Sequence, residues 1–166
     1  MRFRNRWELY KELKNTRNYL LTEWLKIKEE AKIIKKFKAH GFECLICVIR
    51  NWYTAYVGIP KGHPFYKKDY EYINQFVSVH GGLTFSEKRV LGYEKKGIWW
   101  IGFDCAHLGD VCVGKHIPSS PSRKELKDLE KKYKPFFKKW TLKDVEKEVR
   151  HLAKQLVLKN LLIENI

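Results

Sequence analysis

Four short runs of β-branched and aromatic residues occupy the middle of the chain: Cys44 to Arg50, Tyr53 to Ile59, Phe76 to His80 and Ile98 to Phe103. Runs of this length and composition, bounded by Gly, Pro and Asn, read as strands. Asn51-Trp52 is short enough for a hairpin connection, and the stretch from Glu87 to Gly97, with two glycines and mixed charges, suits a longer hairpin between the third and fourth strands. Pro60-Lys61-Gly62-His63-Pro64 leaves the second strand as a loop, because neither proline can donate to a ladder. A small, mainly antiparallel sheet of about four strands follows.

The flanks read differently. From Trp7 to Phe37 the apolar positions Tyr10, Leu13, Leu20, Trp24, Ile27, Ala31, Ile34 and Phe37 recur at steps of three, four or seven, the stripe of a helix. Asn15-Thr16 is a candidate break in it, and His40-Gly41 a candidate stop, glycine being common just past a helix end. Beyond Asp110, Gly114, Pro118 and Pro121 mark a loop to Ser122. Ser122 with Glu125 forms a capping-box pattern for a helix from about Arg123 to Lys132, which Pro135 interrupts. Thr141 to Asp144 opens a last helix with the stripe Val145, Val149, Leu152, Leu156 and Leu158. The expected fold is α+β in one domain of residues 1–166. It divides into a basic helical segment 1–40, a sheet 41–117 and C-terminal helices 118–166.

The net charge of +15 sits on those flanks: residues 1–39 carry 12 Lys/Arg against 5 Asp/Glu, residues 40–117 carry 9 against 7, and residues 118–166 carry 13 against 7. A field of this sign favours polyanions, so nucleic acid is a candidate partner of the basic helices, the alternative being a plain lysine-rich surface. No apolar run approaches the roughly 20 residues of a spanning helix, and the basic N-terminus lacks the apolar stretch of a secretory signal, so no membrane partner and a cytoplasmic location are expected. Cys44 and Cys47 lie within one apolar run, where residues three apart face opposite sides of a strand. Cys105 and Cys112 have six residues between them, an unusual spacing for a zinc knuckle. Four buried, reduced thiols are expected, with no metal ligand among them.

Two strand ends carry the chemistry. Val79-His80-Gly81-Gly82-Leu83-Thr84-Phe85 and Trp99-Trp100-Ile101-Gly102-Phe103-Asp104-Cys105-Ala106-His107-Leu108-Gly109-Asp110 each run from apolar residues into His, Asp and Gly. Rigid strands fix position, and glycines let a ligand approach the main chain. His80, Asp104 and His107 are the candidate catalytic groups. Lys61, Gly62, His63, Gly81, Gly82, Thr84 and Asp110 are the candidate ligand-binding residues. Two imidazoles and two carboxylates suit either acid/base chemistry or a first-row divalent metal. The geometry raises one difficulty, since adjacent antiparallel strands end at opposite edges, which would separate His80 from Asp104 unless loops wrap back or His63 substitutes. The bland alternatives are a core histidine at His80 and turn-capping carboxylates at Asp104 and Asp110. Of the paired tryptophans at 99 and 100, one at most can face the central core.

Three blocks in order, Tyr56-Val57-Gly58-Ile59-Pro60-Lys61-Gly62-His63-Pro64 with Tyr66 to Tyr70, Val79 to Thr84, and Trp99 to Asp110, resemble a family of small, functionally uncharacterised proteins of bacteriophages and prophages, with GxPxGHPxY, HGGLT and WxGFDxAHxGD signatures. The resemblance spans roughly residues 53–110. It implies a viral or mobile-element origin and supplies no activity.

Three functions compete. The first expectation is a phage-type protein that binds a small phosphorylated ligand, a nucleotide or nucleotide-derived signal, in a His/Asp/Gly-lined pocket. The second is a metal-assisted hydrolase or phosphoesterase using His80, Asp104, His107 and Asp110. The third is a nucleic-acid or protein-binding module using the basic helices. No Walker or Rossmann spacing and no nucleophile elbow is present, so the sequence names no cofactor.

Overall fold

The computed structural model describes residues 15–21 and 30–164. The chain folds as α+β around a five-stranded sheet of order β1-β2-β3-β7-β4, antiparallel throughout. Its strands are β1 (Ala31–Ala39), β2 (Phe42–Ile49), β3 (Trp52–Pro60), β7 (Ile98–Asp104) and β4 (Phe85–Glu87). A hairpin of β5 (Arg89–Val90) and β6 (Tyr93–Glu94) and a parallel pair of β8 (Asp110–Cys112) and β9 (Lys138–Trp140) complete the β-structure. Helical segments are α1 (residues 15–21), α2 (Tyr70–Ile73), α3 (Arg123–Tyr133) and α4 (Leu142–Glu164). None of the described helices is long and apolar enough to cross a membrane.

Helix α4 lies on one face of the sheet. Its positions Val145, Val149, Leu152, Ala153 and Leu156 are fully buried against Cys44, Ile46, Val57 and Phe103, whereas Leu158 falls off the stripe and is exposed. The helix starts where Thr141 and Asp144 cap each other: the Asp144 carboxylate accepts from the Thr141 amide at 2.9 Å, and the Thr141 hydroxyl accepts from the Asp144 amide at 3.2 Å. The predicted capping box of α3 is present between Ser122 and Glu125. On the opposite face a smaller cluster of Leu45, Cys47, Tyr56, Val90 and Trp100 is closed by the β5–β6 hairpin. Trp99 packs at the margin of the main core and donates its indole N–H to the Lys68 carbonyl, so the two tryptophans face opposite sides as strand geometry requires. Cys44 and Cys47 likewise fall in different clusters, and all four thiols are buried and unpaired. Burial pushes the Cys44 and Cys47 thiols up to about 12.

The segment from Ala31 to Ala39 is a strand and not the end of a helix. A bulge between Ile33 and Lys35 inserts one extra residue, so Ile34 and Phe37 reach the same core although they are three apart. Spacing of three thus imitates a helical stripe. The rest of the expected N-terminal stripe, apart from residues 15–21, lies outside the described residues. His40 and Gly41, both at positive φ (49° and 85°), form the β1–β2 hairpin turn where a helix stop was expected. Two further corrections concern the middle and end of the chain. Phe76 to His80 is not a strand: it leaves α2 as irregular chain, β4 takes its place in the sheet, and β1 adds a fifth strand where about four were expected. The stretch from Glu87 to Gly97 does connect two antiparallel neighbours of the main sheet, β4 and β7, and holds the β5–β6 hairpin within it. The expected loop after Asp110 begins with strand β8, whose partner β9 lies 28 positions on. Replacing Thr141 with Ala is expected to cost about 1 kcal/mol of stability in urea denaturation, the usual worth of a helix cap; an unchanged midpoint would mean the cap contributes nothing.

Candidate functional site

Asp110 is the centre of the site. It opens β8, its side chain is 2% exposed, and both oxygens are engaged. Oδ2 faces His80 Nε2 at 2.8 Å, accepts the His107 backbone N–H at 3.0 Å and faces His107 Nδ1 at 3.2 Å. Oδ1 accepts the Trp140 indole N–H at 3.0 Å. Burial pushes the carboxyl pKa up, but the hydrogen bonds from His80, the His107 backbone and Trp140 together outweigh it and hold the group below its ordinary value of 3.8.

Local structure explains each position. His107 to Asp110 is a turn closed by the Asp110 amide donating to the His107 carbonyl at 2.9 Å, which brings the carboxylate back onto the His107 amide. Trp140 reaches Asp110 because β9 runs parallel to β8, pairing Asp110 with Lys138 and Cys112 with Trp140. His80 arrives on the irregular chain after α2. Its backbone N–H donates to Glu148 of α4 at 2.8 Å, and its ring lies 4.7 Å from Trp140 and 5.0 Å from His107, centroid to centroid. Asn74 holds the following turn by accepting from the Leu83 amide and donating to the Leu83 carbonyl.

Gly81 makes the approach of the two imidazoles possible. A Cβ there would overlap the His107 ring, and its φ of +68° lies in the left-handed region. Beside the pair, Asp104 at the end of β7 accepts from the Thr84 hydroxyl at 2.9 Å and from the Ala106 amide at 3.1 Å, with one oxygen 3.9 Å from His107 Nδ1. The edge difficulty raised by the sequence therefore disappears. His80 is not at a strand end, and antiparallel β4 enters the sheet beside the last residues of β7, Phe85 pairing with Gly102, so the Gly81–Thr84 loop meets Asp104.

The structure thus brings together His80, Gly81, Thr84, Asp104, His107 and Asp110, with Gly82 in the adjoining turn. It does not bring in Lys61, Gly62 or His63. Along the β3–β7 ladder Thr54 pairs with Asp104 and Pro60 with Ile98, so the loop after Pro60 leaves the far edge of the sheet, roughly 20 Å away at a strand rise of about 3.3 Å. His63 is a core residue there: its Nδ1 accepts from the Phe65 amide, and its Nε2 meets the Leu156 carbonyl at 3.2 Å. Sequence reasoning missed Trp140, Glu148 and Asn74. The first two lie 30 and 68 positions from the groups they hold, and no local pattern marks them.

No family model, curated protein or solved structure matches the chain. The functional reading rests on chemistry. His80, His107 and Asp110 each offer a ligand atom, all within 4.8 Å of one another. Around a divalent ion with ligands near 2.1 Å, neighbouring ligand atoms sit roughly 3.0–3.4 Å apart. The separations of 2.8 and 3.2 Å from Asp110 Oδ2 to the two ring nitrogens bracket the lower part of that range. Without an ion, the acceptor-only carboxylate requires N–H on both facing nitrogens. A cation at the same place would instead meet the lone pair of each of those nitrogens, with the N–H carried on the other ring nitrogen.

Because the Asp110 pKa is lowered on folding, the carboxylate stabilises the protein above its ordinary pKa, and that contribution fades as pH falls through the lowered value. Urea denaturation of the wild type should lose stability between about pH 5 and 2 with a component that Asp110→Asn lacks; parallel acid limbs in the two proteins would contradict this. Gly81→Ala should destabilise the fold by roughly 1–3 kcal/mol through positive φ and the His107 overlap. A cost within error of zero in the same measurement would show that the loop can move away from His107.

Proposed function

We propose that the protein is a metal-assisted hydrolase of phosphate esters, with His80, His107 and Asp110 holding one first-row divalent cation. The observation that carries this reading is the convergence of two imidazoles on one buried carboxylate oxygen, at the edge of a cleft of about 410 Å³ that His107 and Asp110 line. Two nitrogens and one oxygen leave at least one coordination position for water, as in open catalytic sites. A bound cation would lower the pKa of that water towards 7. Asp104, anchored by Thr84 and the Ala106 amide, is the base beside it. On this reading Asp104 would take the proton of the attacking water as its oxygen bonds to phosphorus, and the ester P–O bond would break as the leaving oxygen takes a proton from solvent.

The preference for phosphate has two supports. The chain carries a net charge of +15. Nearer the site, the Lys138 amino group lies 4.1 Å from the centroid of the Trp140 ring, which itself lies 4.7 Å from the His80 ring, centroid to centroid. A phosphate at the cluster would thus meet a cation on its flank. The HGGLT and WxGFDxAHxGD segments supply the whole cluster, whereas the GHPxY segment lies at the other edge of the sheet.

Elemental analysis after incubation with zinc or manganese is expected to give one ion per chain. His107→Ala should weaken that binding at least tenfold. Asp104→Asn should keep the ion and lower kcat towards a generic phosphate monoester by roughly 10²–10⁴-fold, the usual worth of a general base. A chain that takes up no ion, or variants with unchanged ion content and turnover, would contradict the proposal.

A further inference from the structure

The cleft that begins at His107 and Asp110 does not end there. Its far wall is aromatic and aliphatic: Trp52 from the start of β3, and Leu129 and Tyr133 from α3. Trp52 is 38% exposed, unusual for the largest side chain on a strand next to the β2–β3 turn, and Leu108 at the cleft's near end is 70% exposed. None of the α3 residues is buried, so the helix leaves its apolar positions available to the cleft and gives nothing to the main core. At the rim, Asn51 accepts the Ser119 amide through Oδ1 at 2.9 Å. That bond fixes the amide group and turns its NH₂ into the donor left for a ligand.

An apolar slot with a fixed amide donor at its edge, sharing His107 and Asp110 with the cluster, is complementary to one kind of molecule. It needs a flat ring with apolar faces, hydrogen-bond acceptors on its rim, and a phosphate a few ångströms away. The volume, about 410 Å³, falls in the range of small-molecule sites. Stacking on an exposed indole contributes to base binding whatever the base. We propose that this cleft binds the base of a nucleoside monophosphate, between Trp52 and Tyr133, with the phosphate at His80, His107 and Asp110. The inference rests on the hydrolytic reading for what happens to the phosphate, and on the cleft alone for recognition of the base. Specificity for nucleotides over other phosphate esters then belongs to Trp52, Tyr133 and Asn51, none of which touches the metal-ligating atoms.

Calorimetric titration of the Asp104→Asn protein with adenosine 5′-monophosphate and with ribose 5-phosphate separates the two contributions, since the ligands share a phosphate and sugar and differ in the base. The nucleotide is expected to bind at least tenfold more tightly. Trp52→Ala should remove most of that difference and leave ribose 5-phosphate unaffected, and Tyr133→Ala, on a different element, should do the same if one variant folds poorly. Equal affinities, no binding of either ligand, or a preference that survives both substitutions would overturn the proposal. The titration reads neither turnover nor bound metal. A cleft that ignores the base therefore leaves the hydrolase reading standing, and an inactive but base-selective protein would remove hydrolysis alone.

Discussion

A single buried carboxylate ties the irregular chain after α2 to the β7–β8 turn and strand β9. Asp110 accepts from the imidazole of His80, the backbone and ring of His107 and the indole of Trp140. These donors come from the irregular chain after α2, the β7–β8 turn and strand β9. A carboxylate with 2% of its side chain exposed tolerates burial only when its lone pairs are met, so the four donors and the acceptor depend on one another. Removing any ring donor leaves charge buried with less compensation, and removing the carboxylate leaves two imidazoles and an indole facing nothing. The same arrangement that stabilises the junction also places two nitrogen ligands and one oxygen ligand around one point. Stability and chemistry share the same atoms here.

The frame around that junction is simpler. Antiparallel β3 and β7 fix Asp104 opposite Thr54, and the α4 stripe covers the sheet face on which Cys105 and Cys112 are buried. Glu148, on the partly exposed flank of α4, reaches the His80 backbone. A helix whose apolar side builds the core thus uses its polar margin to set the position of a site residue. The parallel β8–β9 pair is short, three residues on each side, yet it carries Trp140 to Asp110.

Local chemistry made several elements legible. The strands β2, β3 and β7 announce themselves by β-branched and aromatic runs, the start of α3 by Ser122 and Glu125, and the α4 stripe by its 3.6-residue period. What failed has physical causes. The β1 bulge shifts the strand period so that Ile34 and Phe37 imitate a helix. Val77 and Val79 are buried without pairing, and so they read as a strand: the Val77 amide donates to the Ile73 carbonyl of α2, the Val79 carbonyl accepts from the Gly82 amide, and the amides of Ser78 and His80 donate to Gln155 and Glu148 in place of a ladder. Strands of two or three residues, β4, β5, β6, β8 and β9, owe their conformation to tertiary pairing and carry too few residues for a period. The His80, Asp104, His107 and Asp110 set could be picked out because chemically unusual residues follow apolar runs. Lys61 to His63 had the same appearance, and only the ladder register separates it, by sending that loop to the other edge of the sheet.

The central claim is that His80 and His107 act as one unit through Asp110 and take up one cation between them. Ring-nitrogen NMR of the two histidines during a zinc titration reads this directly. The expected result is that His80 Nε2 and His107 Nδ1 shift together, complete at one equivalent, and that in Asp110→Asn, checked for folding by its amide spectrum, neither responds at that ratio. Shifts of one ring alone, or identical responses in the folded Asp110→Asn protein, would contradict it.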